Sequence, residues 1–188
     1  KLGKNINHVC GLCQLRKQTR APHKKMNNFK TKRPLELVHM DLIGPTRTES
    51  FGDKRYIFLT VDDYTRFSWA NFLREKFDTF DAFQALVLKI QNEQGVSIRH
   101  IIRIRTDLGH EFENSSFLDF CDMHGIKHEF SAPITPQQNG VIERKNRVVQ
   151  EIARVMLLSK KVSPKFWAKA VNTAVYVVNR VYLRLDTL

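Results

Sequence analysis

The feature that most limits the fold is a change of period in the apolar residues along the chain. Three short β-rich runs come first. Leu35 to Ile43 follows Pro34 and is stopped by Gly44-Pro45. Tyr56 to Val61 is followed by a turn, Asp62-Asp63-Tyr64-Thr65, and then by Phe67 to Leu73. From Phe77 to Gln94 the spacing becomes helical, with Phe80, Phe83, Leu86, Val87 and Ile90 on one face. Asp78 or Thr79 can cap the start of this helix, and Gly95 closes it. His100 to Thr106 reads as a strand. Asn114 to His124 reads as a short helix with Phe117, Phe120 and Cys121 inward and Gly125 just past its end. Ile126 to Phe130 is a further strand. After Pro133 and Pro136 a long helix runs from near Gln138 to about Leu158. Ser163-Pro164 opens a last one, with proline at its first position, ending near Tyr182. The order β-β-β-α-β-α-β-α-α predicts an α/β fold, with a mixed five-stranded sheet flanked by helices. The first three strands meander, and the crossover helices make the last two parallel to a neighbour.

Charge divides the chain in two. Residues 1–33 hold ten basic side chains and no acidic one, whereas the remaining 155 residues hold 21 basic and 19 acidic groups. A basic amino-terminal segment (1–33) thus precedes a nearly neutral domain (34–188), and such an arm suits a polyanion, most simply nucleic acid. With 188 residues and 42% apolar side chains, the chain can bury a real core without staples. Three cysteines cannot build a disulfide framework, and two of them form one Cys-x-x-Cys pair, Cys10 and Cys13, so a secreted scaffold is excluded. No apolar run approaches the roughly 18 residues of a membrane span.

Three acids stand where chemistry can reach them. Asp41 lies in or at the end of the first strand among apolar neighbours, where a carboxylate is costly without a cation or hydrogen bonds. Asp107 lies just past the fourth strand, at the carboxyl end where α/β sheets bind ligands. Glu143 lies in the first turns of the long helix. At about 100° per residue it shares a polar stripe with Arg147, Gln150 and Arg154, opposite Val141, Val148, Val149, Ile152 and Met156. Lys145 breaks that pattern. Three converging carboxylates would bind hard divalent cations such as Mg²⁺ or Mn²⁺, and two such ions can clamp both oxygens of a phosphodiester displacement. The bland alternative is three unrelated surface acids.

Four stretches carry a resemblance. They are Leu37-Val38-His39-Met40-Asp41-Leu42-Ile43-Gly44-Pro45; Tyr56 through Trp69; Arg105-Thr106-Asp107-Leu108-Gly109-His110-Glu111-Phe112; and Thr135-Pro136-Gln137-Gln138-Asn139-Gly140-Val141-Ile142-Glu143-Arg144-Lys145-Asn146. With 35 residues between Asp107 and Glu143, the chain resembles the integrase region of copia-type LTR retrotransposon polyproteins, within the retroviral-integrase family marked by D,D-35-E. The resemblance implies a ribonuclease H-like fold and a polynucleotidyl transferase. Such enzymes process the 3′ ends of element DNA and join them to target DNA. It further implies Asp41, Asp107 and Glu143 as catalytic metal holders for Mg²⁺ or Mn²⁺. Double-stranded DNA would be contacted by Arg147 and Gln150, with Arg144, Lys145 and Asn139 beside them. The resemblance also implies a homodimer or larger homo-oligomer, and a nuclear location after a cytoplasmic particle stage.

The chain departs from the family's Asp-Asn-Gly-Gly-Glu-Phe at Leu108 and His110, so a catalytically degenerate or domesticated DNA-binding and oligomerisation domain is a second reading. A ribonuclease H-like nuclease is a third. Cys10 and Cys13 are half of the family's His-His-Cys-Cys zinc site, but only His8 precedes them, so the Zn²⁺ module is expected to be truncated. Asp62 and Asp63 read as turn chemistry, Cys121, Trp69 and Trp167 as core packing, and Glu111 and Glu113 as a solvated loop.

Overall fold

Five strands set the frame of this computed structural model, which describes residues 31–94, 101–107, 109–131 and 136–181. They are β1 (Leu37–Ile43), β2 (Tyr56–Asp62), β3 (Ser68–Leu73), β4 (Arg103–Thr106) and β5 (Lys127–Phe130). Among the described residues four α-helices complete it: α1 (Thr79–Gln94), α2 (Ser115–His124), α3 (Pro136–Ser159) and α4 (Trp167–Val181). The sheet order is β3-β2-β1-β4-β5. β1, β2 and β3 pair antiparallel, and β4 runs parallel to both β1 and β5. The expected ribonuclease H-like arrangement is therefore present, with strand limits within about two residues of the periodic reading except at the start of β4, which begins at Arg103, three residues after His100. Cys10 and Cys13 lie outside the described residues, as do Gly95, His100, Leu108 and Tyr182.

Strand alternation sends side chains to two cores. On one face Val38, Met40, Phe58 and Ile104 meet α1 through Phe83, Leu86, Val87 and Ile90, and α2 through Phe117 and Cys121. Phe83 stacks on Phe117 with ring centroids 4.9 Å apart. Burial pushes the Cys121 thiol up to about 12, so it packs as an inert apolar group. On the other face Ile57, Leu59 and Val61 meet Ile142, Val149 and Ala153 of α3 and five small residues of α4, namely Ala170, Val171, Ala174, Val175 and Val178.

Local chemistry fixes the element ends. The Asn114 side chain accepts from the Phe117 amide at the start of α2, and Gly125 ends that helix in the left-handed region at φ 64°. The aspartate pair is indeed turn chemistry. Asp62 accepts from the Leu35 and Thr65 amides, while Asp63 accepts from Thr31 and Arg66 and pairs with His39. Among the described residues no helix is long and apolar enough to cross a membrane.

One polar clamp ties α4 to the sheet. The buried Asn179 accepts from the Ser68 amide at 2.9 Å and donates to the Ser68 carbonyl at 2.7 Å, completing the edge of β3 as a further strand would. Asn179→Ala leaves both backbone groups buried and unpaired. The expected loss is about 2–4 kcal/mol, a melting temperature lower by roughly 5–10 °C in a thermal scan. An unchanged melting temperature would contradict this role.

Candidate active site

The parallel pairing of β1 with β4 builds the site. His39 stands opposite Arg105 in that pairing. Asp41 lies two residues past that pair on β1, and Asp107 follows directly after the end of β4, close enough for its charge to act on Asp41. α3 crosses β1 and β2 on this face and brings Glu143. Asp41 is half-buried and its carboxyl is pushed up to about 6, first by burial and then by the Asp107 charge, with Glu143 adding to it. The three acids named from the sequence are thus electrostatic neighbours. Among the described residues, however, no three His, Cys, Asp or Glu side chains stand close enough together to hold one metal ion.

The phase of α3 differs from the periodic reading. Its buried residues are Asn139, Ile142, Asn146, Val149 and Ala153, while Val148 is 36% exposed. The core face is therefore centred about 80° from Glu143, and Glu143 sits on the shoulder of that face, not opposite it. The reason is Asn146. This amide lies on the apolar stripe because its Nδ2 donates to Asp41 Oδ2, which lowers the cost of the buried carboxylate. Its Oδ1 is buried without a partner. The sequence quoted Asn146 only as part of a motif. Its spacing of four from Ile142 and three from Val149 was the signal that it faces inward.

The residues expected to touch DNA divide. Arg144 and Arg147 are exposed, and Gln150 is half-buried. Asn139 is buried, with Oδ1 unpartnered. Lys145 lies on the far shoulder of α3, where its ammonium donates to the Arg66 carbonyl at 2.8 Å. Burial and the nearby Arg66 charge pull it down to about 8. This explains why Lys145 broke the polar stripe.

Glu111 corrects the expectation of a solvated loop, since its side chain is only 11% exposed and faces Lys76 at 3.9 Å. Asp107, exposed at the strand end, is also held above the usual carboxylate range, by partial burial and then by the Glu111 charge. The Glu111 carboxylate fills the place where a side chain on Gly109 would begin: a β-carbon there would meet Glu111 Cδ at 2.7 Å. Gly109 therefore lets this acid fold back beside Asp107.

A ribonuclease H-like sheet with one aspartate in β1 and another just past the parallel β4, and a helix-borne glutamate whose charge reaches the first, defines the class. The chain belongs to the integrase core domain family, which matches residues 31–136. It is 38% identical over 171 residues to the retrovirus-related Pol polyprotein from transposon TNT 1-94 of Nicotiana tabacum, covering 91% of this chain and 13% of that protein. It is 31% identical over 176 residues to the corresponding polyprotein from transposon RE2 of Arabidopsis thaliana, covering 92% and 11%. The chain thus spans a small part of the length of these relatives. The fold is shared with the HTLV-2 integrase catalytic core domain in complex with magnesium (trimeric form), at TM-score 0.58 and 21% identity over 81% of this chain and 90% of that one. It is also shared with the simian T-cell lymphotropic virus intasome, at TM-score 0.62 and 19% identity over 93% of this chain and 58% of that one.

Because the Asp41 carboxyl is raised, its contribution to stability is fully present below the ordinary 3.8 and is lost as pH rises through about 6. Asp41→Asn keeps an acceptor for Asn146 and removes the charge. It is expected to raise the melting temperature by a few degrees at pH 8, with the gain vanishing near pH 4. Equal gains at both pH values would contradict the charge argument.

Proposed function

We propose that this chain is the catalytic core of a copia-type retrotransposon integrase, a metal-dependent polynucleotidyl transferase that processes element DNA 3′ ends and joins them to target DNA. The observation that carries this reading is the half-buried Asp41 carboxyl, raised first by burial and then by the charges of Asp107 and, least, Glu143, which a parallel strand pair and a crossing helix bring near it. A half-buried carboxylate with two further acids near enough to raise it offers the oxygen donors that suit a hard divalent cation. Asp41, Asp107 and Glu143 would hold Mg²⁺ or Mn²⁺. When bound there, such ions supply Lewis-acid charge to the attacking and leaving oxygens of a phosphodiester.

The chain's own residues do the rest. Asn146 orients Asp41. Glu111, turned by Gly109 and facing Lys76, sets the charge around Asp107. Arg147 and Gln150, one and two turns beyond Glu143, would lie along a DNA strand and fix its phosphates. Homo-oligomeric assembly on double-stranded DNA, Zn²⁺ at Cys10 and Cys13 within a longer polyprotein, and action in the nucleus after a cytoplasmic particle stage belong to the same reading. The dimeric and trimeric HTLV-2 cores support the oligomer.

The test is joining of labelled duplex ends to plasmid DNA with Mg²⁺ or Mn²⁺. Asp41→Asn, Asp107→Asn and Glu143→Gln are each expected to cost on the order of 10²-fold or more in rate, with duplex binding retained. Binding without joining in the unaltered chain would identify a degenerate core, and cleavage of RNA–DNA hybrids alone would identify a nuclease.

A further inference from the structure

Arg144 and Lys145 were grouped with Arg147 and Gln150 by sequence, but the helix turns Lys145 well away from them and sets Arg144 between the two sides. There they join Arg66 of the β2–β3 turn, Val141 and Val148 of α3, and Val178 of α4 around a cavity of about 370 Å³. Three cations and three valines line it, with no carboxylate among them. Lys145 is anchored by its bond to the Arg66 carbonyl, and the Arg66 guanidinium is tied through one nitrogen to Asp63 at 3.0 Å. Arg144 is exposed at the rim. Val178 is 1% and Val148 36% exposed, so the valines run from a buried floor to the mouth.

A ligand for this cavity must answer both halves of its lining. A DNA backbone offers phosphates to the cations but no aliphatic group to the valines. A second copy of the chain would bring a strongly basic segment 1–33 and a nearly neutral domain, so it offers the cationic rim no net negative charge. An acidic peptide with an aliphatic side chain answers both, and the size is that of an ordinary ligand pocket. We propose that this cavity docks a short acidic segment of a partner protein. One aliphatic side chain would sit among Val141, Val148 and Val178, and flanking carboxylates would meet Arg144 and Lys145 beside the Arg66–Asp63 ion pair. This site does not depend on the phosphodiester chemistry proposed above.

The experiment is binding of the full chain to an array of seven-residue peptides. These place Leu, Ile, Val or Phe between Asp or Glu residues, beside their Asn and Gln counterparts. The acidic members are expected to bind at least about tenfold more tightly than the amides. Arg144→Ala is expected to weaken the best of them at least about fivefold, and Val148→Asp to abolish binding, both with an unchanged melting temperature. Equal binding of acid and amide peptides, or indifference to Arg144→Ala, would overturn the proposal. Displacement of the peptide is then measured with a 20-base-pair duplex. If the duplex binds through Arg144 and no acidic peptide does, the cavity is a phosphate site and the proposal fails.

Discussion

Parallel pairing of two strands far apart in sequence is the constraint on which the rest depends. β1 and β4 are separated by a meander and a helix, yet their register sets His39 against Arg105 and so brings the Asp107 charge near enough to act on Asp41. Neither aspartate is comfortable there. Burial, with the Asp107 charge for Asp41 and the Glu111 charge for Asp107, holds both above the ordinary carboxylate range, a cost the sheet can bear because Met40, Phe58, Ile104 and Phe117 are fully buried behind it. Stability in the core is thus spent on charge at the rim, a common trade at sites that do chemistry.

The long helix contributes in three directions. Its buried face seals the second core through Ile142, Val149 and Ala153. One shoulder presents Glu143 toward the aspartates, and the other presents Lys145 to the β2–β3 turn. Asn146 joins the first two roles, being both a core residue by position and a hydrogen-bond donor to Asp41 by chemistry.

Most of the fold was legible because each element declares itself locally. The run from Tyr56 to Leu73 alternates around a turn that Asp62 and Asp63 build with their own side chains, and α2 carries both its Asn114 cap and its Gly125 stop. Asp107 and Glu143 were named from spacing and motif, and in the structure both charges act on Asp41. The phase of α3 was not, because periodicity assigns inward positions by apolarity, and here the inward residue at 146 is an amide whose partner lies 105 positions away. Glu111 was missed for a related reason. Its burial depends on the space left by Gly109 and on Lys76 from another element, and neither is visible in a window of neighbouring residues.

Magnesium-dependent melting measures the central claim most directly. If Asp41, Asp107 and Glu143 share an unneutralised charge that a divalent cation relieves, adding Mg²⁺ at pH 7.5 raises the melting temperature of the chain in proportion to the logarithm of its concentration. The rise disappears in Asp41→Asn and in Asp107→Asn. An equal rise in those variants, or none in the unaltered chain, would contradict the account.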